Sequence, residues 1–191
     1  MSTTEIKVGG LGGQGVILCG MIIGRGASIY GTRHATLTQA FGPEARGSAC
    51  SAQIVVSDEP VEYPYVTHPD ILVVMSQDAY NQFAPGMADN AILLYESDLV
   101  EPRDLRPGIT AYGIPSTQIA EELKRRMVAN IVMVGFFGAI VELVPPDALR
   151  KSVADSVPPG TETLNLQAFD QGFAYGQECR AGRSGTATAR A

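Results

Sequence analysis

Residues 6–31 read IKVGGLGGQGVILCGMIIGRGASIYG. An apolar run meets five glycines between positions 9 and 15, and an apolar pattern of helical period starts directly after them. The stretch predicts a strand over Glu5–Gly9, a glycine turn and a helix over Val16–Tyr30. Gly10, Gly12 and Gly15 fit G-x-G-x-x-G in the strand-to-helix setting that this motif needs. Glycines there permit a tight turn and let bare backbone amides approach a phosphate at the positive end of the helix. The same pattern also serves a turn that only packs a helix tightly on a sheet. Gly20 and Gly24 lie four apart on one helical face, which calls for a close packing partner because glycine inside a helix costs up to about 1 kcal/mol.

A dinucleotide site makes a further demand. An acidic residue should end the second strand, roughly 20 residues on, to hold ribose hydroxyls. Positions 32–40 contain no Asp or Glu, and the nearest acid is Glu44. The loop therefore suits a phosphate-bearing ligand that is not held as NAD is held. Gln14 adds an amide at the rim, able to read a ligand or a neighbouring subunit, or to cap the backbone of its own loop.

Working outward, His34–Thr38, Ala49–Ser57, Asp70–Ser76, Ala91–Glu96 and Ile109–Ile114 read as further strands. Ser116 reads as a helix N-cap, followed by Ile119, Ala120, Leu123 and Met127 at helical spacing. Asn130 opens NIVMVGFFGAIVELV, a run apolar nearly all round and therefore a buried helix that Pro145–Pro146 stops. Helices are expected over Asp147–Val157 and Asn165–Glu178. Strands alternating with helices indicate one α/β domain over residues 1–178, a three-layer α/β/α arrangement with a mostly parallel central sheet. Residues 179–191 are small, polar and basic, and are expected to form a flexible tail.

Composition narrows the function. The 191 residues carry 14 basic and 20 acidic side chains, for a net charge of −6. That balance argues against a broad nucleic-acid or anionic-membrane surface. Cys19, Cys50 and Cys179 are scattered, with no CxxC, ferredoxin-like or zinc spacing, and His34 and His68 offer no ligand pair. No metal site is expected. No signal segment is visible at the start, and the apolar stretch over 131–141 is well short of the roughly 20 residues a bilayer requires. A cytoplasmic protein is expected.

A second candidate lies at 39–48, QAFGPEARGS. Gly42–Pro43 sets a turn, and Arg46 offers a planar fork suited to phosphate or carboxylate, with Gly47 leaving space beside it. An Arg46–Glu44 surface pair is the plainer alternative. In an α/β sheet this loop and the glycine loop should both emerge at carboxyl ends of strands, where ligands bind.

Taken together, GGLGGQG at 9–15, QAFGPEARG at 39–47, SDEPVEYPYVTHPDILVVMSQDAY at 57–80, NIVMVGFFGAIV at 130–141 and NLQAFDQGFAYG at 165–176 resemble the gamma subunit of 2-oxoacid:ferredoxin (acceptor) oxidoreductases. GPEARG with Tyr63–Pro64 is nearer the 2-oxoglutarate type and its relatives than the pyruvate type. The resemblance implies decarboxylation of a 2-oxoacid on thiamine diphosphate with Mg, electron exit through [4Fe-4S] clusters, and acyl transfer to coenzyme A. The cofactors would sit on alpha, beta and delta-type partner subunits, and ferredoxin or an NAD-linked subunit would take the electrons. This chain would be an accessory subunit, not catalytic alone. By motif, Gly10, Gly12, Gly13, Gln14 and Gly15 would line the phosphate-bearing part of coenzyme A. Arg46 and Gly47 would sit beside that pocket or at a subunit contact. Asn130 and Asn165 match the family pattern, although each also reads as a helix N-cap. Many relatives carry a second glycine where this chain has Ser48. A self-contained NAD(P)- or FAD-binding protein and a purely structural subunit are the alternatives.

Overall fold

The computed structural model describes residues 3–42 and 47–182. Strand β1 (Thr3–Leu11) runs into the glycine turn, and α1 (Val16–Ser28) carries the chain to β2 (His34–Phe41). β3 (Ala49–Ser57) returns antiparallel to β2 and then inserts between it and β1, pairing with both. β4 (Ile71–Val74), β5 (Ile92–Glu96) and β6 (Thr110–Ile114) add in parallel on the other side of β1. The order is β2-β3-β1-β4-β5-β6, and β3 alone runs against the rest.

Both faces of the sheet are apolar, as a covered parallel sheet requires. On β4, Ile71 and Val73 enter the larger core while Leu72 and Val74 enter the smaller. The larger core is built with α1, α3 (Ser116–Glu122), α4 (Ala129–Val141), α5 (Pro146–Ala154) and α6 (Glu162–Gly182). The smaller core is closed by α2 (Gln77–Phe83). Among the described residues the three layers are thus unequal, with five helices on one face and one on the other. Gly20 explains its place in α1: a Cβ there would lie 2.5 Å from the Cβ of Ala52 on β3. None of the described helices is long and apolar enough to cross a membrane.

Several expected boundaries move, each for a local reason. α2 was not foreseen; Ser76, expected to end a strand, is its N-cap and accepts from the Ala79 amide at 3.2 Å. Ser116 is not a cap but the first residue of α3, after Pro115, and its hydroxyl donates to Glu96. Asn130 and Asn165 do not cap either. Each lies inside its helix, Asn130 donating to the Gly15 carbonyl at 3.3 Å and Asn165 to the Thr161 carbonyl at 2.9 Å. Met127 lies in a 3-10 turn between α3 and α4 and is 91% exposed, so it is no part of a core stripe. α4 ends at Val141, before the prolines, where Glu142 takes a left-handed φ of 53°. Pro146 opens α5, where its missing N–H costs nothing. α6 continues to Gly182, past the expected tail boundary at 179, with Arg180 donating to the Ala139 carbonyl at 3.1 Å and pairing with Glu142. Residues 183–191 lie outside the described residues.

Candidate functional site

The glycine loop turns at the carboxyl end of β1. Gly15 takes φ 74° as the residue before α1, and Gly13 takes φ 100°. Both are positions that side-chain-bearing residues rarely adopt. Among the described residues, apart from Gly13 itself and its two chain neighbours, no atom lies within 4 Å of the place where a Gly13 Cβ would stand. Gly15 is the opposite case. A Cβ there would come 2.4 Å from Nδ2 of Asn130, which packs the start of α4 directly against the loop. Gly10 is equally confined, by Gln14 and Val16.

Gln14 braces the loop. Its Oε1 accepts from the Leu11 amide at 2.7 Å, and its Nε2 donates to the Met75 carbonyl at 2.7 Å. One side chain therefore ties the turn to itself and to the end of β4. Of the two readings of Gln14, backbone capping is the arrangement found, although the residue also forms part of a cleft wall.

The loop after β2 meets the glycine loop, as their positions at strand ends suggest. The Gly12 amide donates to the Ser48 carbonyl at 2.8 Å, and the Gly47 amide donates to the Gly12 carbonyl at 3.2 Å. These bonds extend the β1–β3 ladder beyond the Leu11–Ala49 pair. The Gly12 amide is thereby occupied. Gly47 has φ 78° and open space around its Cβ position. Arg46 and Glu44 lie outside the described residues.

The donors left over are specific. Intrahelical bonding in α1 begins with Cys19 donating to the Gly15 carbonyl at 2.9 Å. Among the described residues, the amides of Gly13, Gly15 and the first turn of α1 have no backbone acceptor. They lie at and just before the positive end of a 13-residue helix, a position that favours an anion.

Gly13 separates two clefts. One, of about 550 Å³, is mainly apolar and is walled by Gly15, Ile17, Phe41, Ser48 and Cys50. The other, of about 230 Å³, lies across the carboxyl ends of β1, β4 and β5, with Met75, Glu96, Thr117 and Arg126 in its wall. It opens beside the point where the chain leaves β1 in one direction and adds β4 in the other, the usual place for a ligand in an open α/β sheet. Glu96 is only 1% exposed. Its carboxylate accepts from the Thr117 amide at 2.9 Å, the Asp98 amide at 3.3 Å and the Ser116 hydroxyl. It therefore holds the start of α3 in place. A further cavity, of about 370 Å³ between Arg33, Glu142 and Arg180, lies at the amino end of β2, away from these loops.

Sequence reasoning missed Met75, Glu96, Thr117 and Arg126 as cleft residues. The basic run LKRRM at 123–127 was a usable signal for Arg126, since it sits between two helices rather than on one. Glu96 could have been found as an acid ending an otherwise apolar strand. The acid-bearing second strand of a dinucleotide site has no counterpart, because β3 rather than β2 lies beside β1.

Known proteins share this architecture. The family model for pyruvate ferredoxin/flavodoxin oxidoreductase matches residues 5–175. The 2-oxoglutarate synthase subunit KorC of Methanocaldococcus jannaschii is 45% identical over 91% of this chain and 94% of its own. The gamma subunit of a keto/oxoacid ferredoxin oxidoreductase from Geobacter sulfurreducens superposes with a TM-score of 0.81 at 34% identity, covering 91% of this chain and 96% of that one. The 2-oxoglutarate:ferredoxin oxidoreductase of Magnetococcus marinus, solved with 2-oxoglutarate, coenzyme A and succinyl-CoA bound, gives 0.83 at 25% identity; the match covers 93% of this chain and 31% of that longer one. Pyruvate-type relatives are more distant, at 30% identity against 45%. With the fold, the loop and these likenesses in agreement, the chain belongs to the pyruvate ferredoxin/flavodoxin oxidoreductase family, as a gamma-type subunit of a 2-oxoacid:ferredoxin oxidoreductase nearer the 2-oxoglutarate type than the pyruvate type.

Proposed function

We propose that this chain receives the phosphates of coenzyme A at the glycine loop, on behalf of a complex that oxidatively decarboxylates a 2-oxoacid, 2-oxoglutarate first among the candidates. The observation that carries the proposal is the open face of Gly13, set among amides that have no backbone acceptor among the described residues. A related oxidoreductase with coenzyme A and succinyl-CoA bound supports the choice of ligand. Gly13, Gly15 and the first turn of α1 would donate to phosphate oxygens. Gly10, Gly12 and Gln14 would hold the loop in the shape that aims those donors, and Arg46 and Gly47 would border it.

Thiamine diphosphate with Mg, and the [4Fe-4S] clusters, would supply the carbanion and electron chemistry from alpha, beta and delta-type partners. This subunit would then orient the thiol carrier and help the complex assemble, without turnover of its own, in the cytoplasm. Ferredoxin or an NAD-linked subunit would accept the electrons.

The test compares Gly13→Asp with Gly13→Asn in the assembled complex. Both strain the same backbone, so only the added charge separates them. Gly13→Asp should raise the apparent KM for coenzyme A by about tenfold over Gly13→Asn, since a carboxylate would face the incoming phosphate. Equal values for the two variants would remove phosphate from this loop.

A further inference from the structure

Three consecutive basic residues, Lys124, Arg125 and Arg126, form the turn between α3 and α4. All three are exposed, in a chain whose net charge is −6. Lys124 takes a left-handed φ of 59°, and the chain then enters a 3-10 turn at Arg126. Arg126 lines the smaller cleft beside Gly13 and is the one positively charged side chain in the wall of either cleft among the described residues. Its ion pair is loose: Nε lies 3.9 Å from Glu121 Oε1, with the two side chains 71% and 58% exposed. Such a pair holds the guanidinium weakly. The carboxylate of Glu96 in the same wall already accepts from neighbouring donors and is tied to α3. Among the described residues, Lys124 and Arg125 have no ion-pair partner.

Coenzyme A carries two separate anionic groups, the diphosphate and the ribose 3′-phosphate. Backbone amides and a helix end suit the first, because they offer several partial charges along a short stretch. An isolated phosphate monoester is better met by a formal cation with a planar fork. Resting on the coenzyme A assignment above, we propose that Arg126 is the residue that recognises the 3′-phosphate. Lys124 and Arg125, the two residues before it, add exposed positive charge whose reach in solution is about a Debye length, roughly 10 Å. The glycine loop alone would accept coenzyme A and its 3′-dephospho form alike; Arg126 distinguishes them.

The experiment measures the apparent KM of the assembled complex for coenzyme A and for 3′-dephospho-coenzyme A. The unsubstituted complex should prefer coenzyme A by about tenfold, the worth of one charge-assisted hydrogen bond. Arg126→Gln should raise the KM for coenzyme A to meet that for the dephospho form, leaving the latter and kcat unchanged. Arg126→Lys should recover part of the preference. The assignment fails if the unsubstituted complex does not discriminate, or if Arg126→Gln shifts both KM values equally or neither. Failure of the underlying loop site is told apart by the Gly13 pair: loss of the Gly13→Asp effect removes the loop, whereas loss of the Arg126→Gln effect alone removes only the 3′-phosphate contact.

Discussion

Gln14 and Cys19 show how differently two side chains near one loop are used. The Gln14 amide bonds within the loop at one end and to the end of β4 at the other, so its chemistry is consumed in holding a shape. Cys19, one turn into α1, is fully buried in the larger core, and desolvation pushes its thiol up to about 12. A neutral thiol in that position is a small apolar residue rather than a nucleophile. The folded state thus keeps a proton that the unfolded chain releases near pH 9. Its contribution to stability is whole below about pH 9 and declines as pH rises toward 12, at roughly 1.4 kcal/mol per unit. Urea midpoints measured from pH 8 to 11 should fall more steeply for the natural chain than for Cys19→Ala. Parallel slopes would show that the burial of this thiol does not govern alkaline stability.

Among the elements, α4 and α6 make the tightest helix contact, and glycine is the reason. A Cβ on Gly135 would stand 2.0 Å from the Phe169 carbonyl oxygen, and one on Gly172 would stand 1.9 Å from that of Val132. Both obstacles are backbone atoms of the opposing helix, so no rotamer change can yield. Gly172→Ala must separate the helices and should cost about 1–3 kcal/mol, read as a lower urea midpoint with an unchanged slope. A midpoint equal to that of the natural chain would mean that the helices pack with more clearance. This contact also shows what the sequence could convey. α4 was legible as a buried helix because its apolar side chains run all the way round, and β3, β4 and β5 were legible from their Val, Ile and Leu content. The partner facing Gly172 was not legible, since glycine carries no periodic signal of its own. α2 was missed because its seven residues, QDAYNQF, bury only Ala79 and Tyr80. Asn130 and Asn165 misled because asparagine near a helix start suggests a cap, whereas here the first links α4 to Gly15 and the second bonds one turn back. A glycine turn between β1 and α1 was legible, although β1 runs on through Gly10 to Leu11 rather than ending at Gly9; the wall contributed by Glu96 and Arg126 depends on strand order, which no local pattern encodes.

At the scale of the whole molecule, the inserted β3 decides both stability and site. By lying between β2 and β1 it brings Ser48 against Gly12, and so removes one loop amide from ligand binding while stiffening the rest. The sheet then separates two apolar cores that share no side chain: Ile54 on β3 enters the larger and Leu93 on β5 the smaller, each with no exposed surface. If the sheet couples them into one cooperative unit, damage to either core must weaken both. Ile54→Ala and Leu93→Ala should each cost about 2–5 kcal/mol, and because the two sites share no contact partners their costs should add within roughly 0.5 kcal/mol in the double variant. Far-UV circular dichroism and tyrosine fluorescence should report one coincident transition in all three variants. Two separated transitions in Leu93→Ala would mean that α2 and the smaller core open independently of the larger.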